Sequence, residues 1–494
     1  MNLSMIRYII GYVLRIEAIL LLIPGMVSLA YKDISDGIIF LMVAMGSFLF
    51  GMLLSVKRPK VNVFYLKEGC VTTALSWIVL SIFGAMPFYI SGYIPSYTDA
   101  LFETISGFTT TGASILTDVE ALSHGMLFWR SFTHWIGGMG VLVFLLAVIP
   151  LTGGSNMNLM KAESPGPSVG KLAPKVKSTA QILYGIYVAM TVLECILLYA
   201  GKMSLFESVT LSFGTAGTGG FGVLNDSVGS ATPYQQWVIT IFMILFGVNF
   251  NFYALILFGQ IKKAFKTEEV QSYFAVIVAA IAIILFQIKD GYDSIFHALR
   301  DASFQVGSII TTTGFSTADF NTWSSAAKTV LVMLMFIGAC AGSTGGGIKV
   351  SRFVILIKTV FKEIGSYIHP RSVKKIKMDE KLIEHEVVRA TNVYFITFAI
   401  IFVVSTLLLS FENMDLVTIF TAVAATINNI GPGLEMVGPT SNFSHFSDFS
   451  KYVMMFDMLA GRLELFPLII LFTPSVWSEA IKVRARRYNI SKKG

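Results

Sequence analysis

Apolar runs that are long enough to cross a membrane dominate this sequence and limit what it can fold into. A helix needs roughly 20 predominantly apolar residues to span the hydrocarbon core of a bilayer. Only 14% of the 494 residues are charged and 54% are hydrophobic, whereas soluble domains carry about 25% charged residues. The sequence therefore predicts an all-α polytopic membrane protein. The candidate spans, some of them short, are 9–30, 38–56, 71–90, 182–200, 237–258, 273–288, 330–342, 393–410 and 452–472.

The first run has the look of a signal peptide, because Arg7 precedes an apolar core. It is too long for one, however, contains Glu17, and leads directly into the second run without a clear small-residue cleavage site. We therefore predict that it is a retained membrane helix.

Basic residues cluster in alternating connections between the apolar runs, at 57–60, 161–177, 262–266, 362–381 and 482–493. Positively charged connections stay on the cytoplasmic side of a membrane. The pattern therefore predicts a multi-pass protein of the inner (cytoplasmic) membrane with both termini in the cytoplasm. The formal charge of +7 is explained by these connections, so the lipid membrane is the expected surroundings and no nucleic-acid partner is expected.

Between the basic connections the chain repeats itself four times. Each block contains an apolar span, a short half-polar stretch, a Gly-centred motif and a second apolar span, and such repeats decide the architecture. The predicted units are an N-terminal helix pair at 1–60, pore repeats at 61–155, 177–262, 268–377 and 385–482, and a basic cytoplasmic tail at 483–494.

The Gly-centred motifs align by counting from a Phe. In blocks one and three, "FETISGFTTTG" from Phe102 and "FQVGSIITTTG" from Phe304 both place Gly ten residues after Phe. In blocks two and four the spacing from Phe206 and Phe420 differs by a few residues, so the match is looser there. The aligned residues are Thr110, Thr111 and Gly112; Thr218, Gly219 and Gly220; Thr312, Thr313 and Gly314; and Asn429, Ile430 and Gly431.

The stretch before each motif is about ten residues, or about 15 Å of helix, too short to cross roughly 30 Å of hydrocarbon. This predicts re-entrant hairpins that enter from the outside. Non-helical backbone at membrane depth must be buried in protein or line a water-filled path. Four such segments on a common axis would let carbonyl oxygens replace the water around a cation, the usual arrangement for potassium. The alternative is that the Gly-centred motifs are patches of small residues for helix packing. Four copies of the motif at equivalent positions of the repeats disfavour this alternative.

Seven short sequence motifs resemble those of the Trk/Ktr/HKT superfamily of potassium transporters, and the resemblance covers essentially the whole chain. They are "TTTGA", "GTGGF", "TTTGF" and "NNIGPG" at the four motifs, "WRSFTHWIGGMG" at 129–140, "GACAGSTGGGIK" at 338–349 and "AGRLE" at 460–464. The N-terminal helix pair is similar to that of the TrkH-like branch.

The resemblance implies pseudo-fourfold helix–re-entrant pore loop–helix repeats around a central ion pore. The motif residues named above would form the selectivity filter that binds potassium, with no cofactor in this chain. Gly219 and Ile430 stand where the other two blocks have Thr, but carbonyl coordination needs no particular side chain. Plant relatives with Ser at the first filter Gly favour sodium, so Gly112 implies potassium. A homodimer and a cytoplasmic nucleotide-binding ring of the TrkA type are the implied partners.

Two features indicate a gate beneath this filter. "GACAGSTGGG" interrupts the second span of block three, and five of its ten residues are Gly, a composition unfavourable for helix. An unwound stretch should line the cavity, and the resemblance implies a flexible flap formed by Gly342, Ser343, Thr344, Gly345, Gly346 and Gly347. Close packing of small residues is the alternative.

The second feature is Arg462, near the middle of the last span, because a charge inside a membrane is a functional candidate. The resemblance implies that it projects into the conduction path. The alternative is a structural pair with Asp457 or Glu464, although neither lies at i±3 or i±4.

Other polar residues in the spans are predicted to be structural. Arg130 and Glu194 are assigned to structural roles, His124 and His134 to ordinary helix positions. The cysteines Cys70, Cys195 and Cys340 lack metal-ligand spacing and are assigned to packing.

An enzyme is not expected, because the spans carry only scattered charges and no HExxH motif. "GPSVG" at 166–170 fits GxSxG, but it lies in a Pro-flanked loop rather than on a strand-to-helix turn. A secondary transporter that couples potassium to protons or sodium stays open as the alternative function, because broken helices and repeats also occur in that class.

Overall fold

A computed structural model describes residues 1–59, 65–140, 176–370 and 375–477 of the chain. In this part, six helices are long and apolar enough to cross a membrane, and a bent helix pair adds a seventh span if it is counted as one. The predicted helical, multi-span membrane protein is confirmed. A departure from the all-α prediction is a small antiparallel hairpin of β1 (Lys377–Met378) and β2 (Lys381–Leu382). The GxSxG pattern and the basic tail lie outside the described residues.

The N-terminal helices α1 (Leu3–Ala30) and α2 (Ile34–Ser55) pack against each other through glycine. A Cβ on Gly11 would lie 2.7 Å from the carbonyl oxygen of Gly51, and a Cβ on Gly51 would lie 2.7 Å from that of Gly11. In lipid, small residues allow helix backbones to approach closely and gain van der Waals contact. This contact explains why two such apolar helices associate as a pair.

After this pair, each of four blocks begins with a long helix, continues with a shorter one and then has a third helix. Block one has α3 (Leu66–Gly84) with α4 (Met86–Ile90), α5 (Tyr97–Phe108) and α6 (His124–Gly138). Block two has α7 (Val176–Ala200), α8 (Leu205–Gly217), α9 (Pro233–Phe246) and α10 (Phe250–Leu257), followed by the connecting α11 (Ile261–Phe265). Block three has α12 (Glu268–Ile288), α13 (Ile295–Ile310), α14 (Ser325–Ile337) and α15 (Val350–Ile368). Block four has α16 (His385–Leu409), α17 (Leu416–Ile427), α18 (Asp448–Arg462) and α19 (Phe466–Leu471).

Three of the predicted spans are broken, and the break in the second span of block three is the one that its glycines predicted. The span at 237–258 turns by 89° between α9 and α10, the span at 330–342 stops with α14, and the span at 452–472 is interrupted after α18. In the last break, Glu464 and Leu465 have φ of 61° and 65°, which a helix cannot accommodate. Hydropathy reports only how apolar a segment is. Neighbouring segments can bind the free backbone N–H and C=O groups of an unwound stretch, so a break can occur inside an apolar run.

The blocks contact one another in sequence through the loops that follow α5, α8, α13 and α17, and the fourth block contacts the first. Asn225 of block two donates to Asp118 of block one (2.9 Å). The N–H of Val228 donates to Ser316 (3.1 Å), and that of Phe443 in block four donates to Ser114 of block one (2.8 Å). Between blocks three and four, the N–H of Glu435 donates to Asn321 (3.0 Å). The blocks therefore surround one axis.

The packing of the core fixes the short helix of block one against this axis. Trp129 of α6 is fully buried and donates from Nε1 to the carbonyl of Gly84 (2.9 Å). Its indole contacts the ring of Phe108 edge-on, with centroids 5.9 Å apart. Since Phe108 is the last residue of α5, this contact positions the chain immediately before the first Gly-centred motif.

Substituting Gly51 with Leu should destabilise the protein by about 1–3 kcal/mol, because the side chain must push α1 and α2 apart. Gly46→Leu on the same helix is the matched control, since a Cβ at Gly46 meets nothing within 4 Å. Thermal unfolding in detergent measures both. Equal melting temperatures for the two variants would show that the glycine contact does not hold the pair together.

Candidate ion-conduction site

The short helices α5, α8, α13 and α17 end in the same backbone turn. One N–H donates to the carbonyl three residues earlier and the next N–H to the carbonyl five residues earlier, which is the Schellman motif. The second of these bonds joins the N–H of Thr111 to the carbonyl of Ser106 (2.9 Å). The equivalent bonds join Gly219 to Gly214, Thr313 to Ser308 and Ile430 to Ala425 (2.8 Å each). Four different sequences thus adopt one local structure.

Each turn contains a left-handed residue that is not glycine. These residues, Thr110, Thr218, Thr312 and Asn429, have φ of 56°, 54°, 58° and 56°. Glycine is the usual residue at such a position, and for a β-branched threonine the strain is on the order of 1–3 kcal/mol. Two residues further on, each block has a glycine with positive φ, namely Gly112, Gly220, Gly314 and Gly431. The aligned motif residues therefore occupy equivalent backbone positions, including those of block two.

The four turns form a closed ring in which each glycine faces a carbonyl of the next block. A Cβ on the glycine would lie within 3 Å of that oxygen in every case. The pairs are Gly112 with Gly219 (2.0 Å), Gly220 with Thr313 (2.0 Å), Gly314 with Ile430 (2.2 Å) and Gly431 with Thr111 (2.9 Å). Glycine is required here both by its φ and by this approach of backbone to backbone. The ring brings together one such carbonyl oxygen from each block.

Buried side-chain oxygens lie in the same turns. The hydroxyl of Thr110 and the amide oxygen of Asn429 have no hydrogen-bond partner in the described part of the chain. The amide nitrogen of Asn429 is used, because it donates to Thr111 Oγ1 and to the carbonyl of Met458, both at 2.9 Å. Buried oxygens without a donor are rare in proteins, and a cation would satisfy them.

His134 of α6 braces the turns of blocks one and two, so its prediction as an ordinary helix residue is wrong. Its Nδ1 lies 2.8 Å from the carbonyl of Gly107, and its Nε2 accepts from the N–H of Phe221 (3.2 Å). Since a carbonyl can only accept, Nδ1 carries the proton. The sequence did not indicate that the turns of blocks one and two meet across His134.

A buried ion pair connects blocks one and two beside the ring. Arg130 Nε lies 2.6 Å from Glu103 Oε1, and Arg130 Nη1 donates to the carbonyl of Gly222 in block two (2.8 Å). Glu103 also accepts from Ser114 Oγ (2.9 Å) and from the N–H of Ile115 (3.0 Å). The contacts of Arg130 are those of the structural residue that was predicted.

Residues 338–349, called the flap below, are not helical and lie against the turns of blocks three and four. The N–H of Gly346 donates to Thr312 Oγ1 (2.6 Å), and that of Gly347 donates to the carbonyl of Asn428 (3.1 Å). Thr344 Oγ1 donates to the carbonyl of Phe246, where α9 ends (3.2 Å). The unwound stretch expected from the glycine content is thus present, and it contacts a left-handed residue of the ring directly.

Arg462 connects the flap to block one from the end of α18. Its Nη1 donates to the carbonyl of Thr344 (2.9 Å), and its Nη2 donates to the carbonyls of Gly138 (2.8 Å) and Gly137. Glu464, one of the two candidate partners of Arg462, instead pairs with Arg352 of α15.

The other candidate, Asp457, accepts from Ser405 Oγ (2.8 Å). The predicted position of Arg462 near the middle of a continuous span is corrected, since α18 ends at this residue.

A cavity of about 1470 Å³ lies against the flap, and no residue of the four turns is among those that line it. Its lining includes Trp77, Gly138, Asn249, Gly345, Lys349 and Arg462. The described residues contain no group of three or more His, Cys, Asp or Glu side chains that could hold a metal ion. The arrangement is therefore a ring of backbone oxygens that the flap contacts, with the guanidinium of Arg462 bound to the flap and a wide cavity lined partly by both.

The comparisons with known proteins agree with this geometry. The family model described as TrkH, cation transport protein, matches residues 38–481. This chain belongs to the TrkH family. The sequence resemblance is thereby confirmed, and membership of a family of cation transport proteins identifies a transporter rather than an enzyme.

Members of the TrkH family are similar to this chain over nearly its whole length. The Trk system potassium uptake protein TrkH of Salmonella typhimurium is 35% identical over 489 residues, which cover 97% of this chain and 100% of that protein. TrkG of Escherichia coli is 31% identical over 490 residues, with coverage of 97% and 100%. The crystal structure of the potassium transporter TrkH from Vibrio parahaemolyticus matches with a TM-score of 0.87 at 32% identity, covering 97% of this chain and 100% of that one.

Substituting Gly112 with Ala should lower the ratio of potassium to sodium permeability, because the added Cβ displaces the carbonyl of Gly219. Gly92→Ala is the control for backbone strain, since Gly92 also has a positive φ (81°) but nothing lies within 4 Å of its Cβ position. Ion flux into liposomes that contain each variant gives the ratio. If folded Gly112→Ala protein keeps the wild-type ratio, the turn of block one does not select the ion.

Proposed function

We propose that this chain mediates potassium uptake across the cytoplasmic membrane, with the ring of four turns as its selectivity filter. The observation that carries this is the closed succession of glycine and carbonyl contacts through all four blocks, from Gly112 round to Gly431. Relatives that cover the whole chain are named potassium uptake proteins, which supports potassium as the ion.

The filter would bind the ion through oxygen alone. Carbonyl oxygens of Thr111, Gly219, Thr313 and Ile430 replace its hydration shell, so the differences in side chain among the blocks are tolerated. The buried oxygens of Thr110 and Asn429 supply further ligands. The short helices also end at the ring, and their C-terminal ends carry partial negative charge that favours a cation.

The flap and Arg462 form the gate in this proposal. Thr344, Gly345 and Gly346 lie between the ring and the cavity, so an ion cannot pass until they move. A guanidinium stays charged at any physiological pH, and a fixed positive charge repels a cation more strongly in low dielectric than in water. The membrane potential supplies only about 2.3 kcal/mol per charge per 100 mV, so one well-placed arginine can keep basal flux low.

Passive conduction is the first candidate for the transport mechanism, because a ring of backbone carbonyls binds potassium without a proton or a second ion. Titratable groups do line the cavity, since Glu269 and Glu464 are among its lining residues, so the cavity itself does not decide against coupling. The ion-coupled transporter remains the second candidate, and the flux experiment below separates the two.

We also propose a setting for the protein. The protein lies in the inner (cytoplasmic) membrane with both termini in the cytoplasm. It forms a homodimer, and a cytoplasmic nucleotide-binding ring of the TrkA type gates it. The exposed lysines at the rim of the cavity, Lys262, Lys263 and Lys266, fit the cytoplasmic side. The repeat boundaries at 61–155, 177–262, 268–377 and 385–482 are kept as proposed units.

Flux through purified protein in liposomes tests the function. With equal gradients of potassium, rubidium and sodium, the proposal predicts that potassium and rubidium pass and that sodium is excluded. Potassium movement should follow its own gradient when no proton or sodium gradient is present. Uptake that requires either second gradient would support the ion-coupled candidate, and equal flux of all three ions would contradict a selective filter.

Substituting Arg462 with Ala should raise basal potassium flux, on the order of tenfold, because it removes a fixed positive charge from the path. Arg462→Lys should stay closer to wild type because the charge remains. Lys262→Ala at the cavity rim is the control for net charge, and it should change flux little. Slower flux through a less stable Arg462→Ala protein would show that the residue is structural and not part of the gate.

A further inference from the structure

The 89° bend between α9 and α10 lies beside a second cavity, of about 530 Å³, which α7 closes on the other side. Its volume falls in the range of about 300–1,000 Å³ that is usual for small-molecule sites. In the part of the chain that the structure describes, its lining includes no charged side chain. The hydroxyl of Tyr253, which lines it, already donates to the carbonyl of Leu245 (2.6 Å). The cavity therefore suits an apolar ligand.

This cavity faces the bilayer and not the ion pathway. It shares no lining residue with the large cavity beside the flap, and its lining residues Leu193 and Leu257 are more than half exposed on apolar membrane helices. Along α7 the lining extends from Ile182 to Leu193, which is about 16 Å of helix and about half of a hydrocarbon core of roughly 30 Å. The cavity is thus as long as the hydrocarbon of one leaflet.

The helices that follow the bend carry the features of a segment at the membrane surface. Since α9 belongs to a span, a turn of 89° leaves α10 close to the plane of the membrane. Exposed apolar side chains continue from α10 into α11, and they alternate with exposed lysines. The apolar ones are Leu257, Phe258, Ile261 and Phe265, and the basic ones are Lys262, Lys263 and Lys266. Helices with this composition lie in the interface between lipid headgroups and acyl chains.

The lysines stay next to the mouth of the apolar cavity. Phe265 of α11 packs edge-on against Phe252 of α10, with ring centroids 5.1 Å apart, and α10 also supplies Leu257 to the lining. The carboxylates that follow in the sequence have other partners, since Glu268 pairs with Lys358 and Glu269 accepts from the N–H of Ala341 (2.6 Å). Positive charge is therefore left beside an apolar cavity.

We propose that the cavity between α7, α9 and α10 binds an acyl chain of an anionic phospholipid whose phosphate lies beside Lys263 and Lys266. Each half of the lipid matches one part of the site. The hydrocarbon leaves water and fills the inside of the bend, and the phosphate is attracted by the lysines. The inference uses the proposed cytoplasmic side of α11, but it does not depend on the filter or the gate.

Substituting Gly185 with Trp tests the acyl-chain part of the site. Gly185 lines the cavity, and a Cβ there meets nothing within 4 Å, so the indole can occupy the space without striking the backbone. Native mass spectrometry of the purified protein titrated with dioleoyl phosphatidylglycerol should show binding at least tenfold weaker than in wild type. Gly46→Trp is the matched control, because Gly46 is also a helix glycine with open space at its Cβ position. Wild-type lipid affinity in folded Gly185→Trp protein would overturn the proposal.

The double variant Lys263→Gln and Lys266→Gln tests the headgroup part and guards against a failure of Gly185→Trp to fold, since both lysines are exposed. It should weaken phosphatidylglycerol binding on the order of tenfold and leave dioleoyl phosphatidylcholine binding unchanged. Lys202→Gln with Lys289→Gln removes the same charge from exposed positions at the far ends of α7 and α12. Equal loss of phosphatidylglycerol binding in the two double variants would contradict a phosphate site on α11.

A second copy of this chain is the other occupant that the cavity could take, and the same spectra report it through the oligomeric mass. If Gly185→Trp changes the oligomeric state and leaves lipid affinity as it was, the cavity holds a neighbouring subunit and the lipid proposal is wrong. The flux measurements stay independent of this result. Unselective flux would refute the filter without altering lipid binding, and loss of the lipid site would leave ion selectivity as proposed.

Discussion

The approach of each motif glycine to the carbonyl of the next block is the contact on which the rest of the structure depends. It closes a ring of four turns around one axis, and it tolerates no Cβ at Gly112, Gly220 or Gly314, where the space is 2.0–2.2 Å. The left-handed threonines that precede these glycines store strain, which the Schellman hydrogen bonds and the surrounding core must offset. His134, Trp129 and the pair of Arg130 with Glu103 are the supports that hold the turns in place.

The ring has fourfold pseudosymmetry, but the elements beneath it do not. In the part of the chain that the structure describes, the flap comes from block three alone, and Arg462 of block four reaches across to Gly138 of block one. A selective filter needs near-equivalent oxygens from every side, whereas a gate needs a single element that can move. The four turns repeat, whereas the flap and Arg462 occur once each and lie outside the turns. This arrangement satisfies both requirements.

The sequence predicted the ring well because glycine is irreplaceable there. The alignment of the four motifs picked out residues at equivalent backbone positions, even in blocks two and four, where the spacing from Phe206 and Phe420 differs. It also predicted that the flap is unwound, because five glycines in ten residues disfavour a helix. It did not predict the bend after Phe246 or the break after Arg462, since these segments remain apolar and their free backbone groups bind to neighbouring chain. The role of His134 depends on contacts with two distant segments, at Gly107 and Phe221, and one sequence does not reveal such contacts.

The central claim is that the carbonyl oxygens of Thr111, Gly219, Thr313 and Ile430 coordinate the transported ion. Crystals of the wild-type protein grown in rubidium, with anomalous diffraction recorded at the rubidium edge, test this most directly. The predicted result is a peak on the axis of the ring, equidistant from the four oxygens, which disappears when sodium replaces rubidium. Rubidium bound only elsewhere in the protein, with no peak on that axis, would contradict the claim.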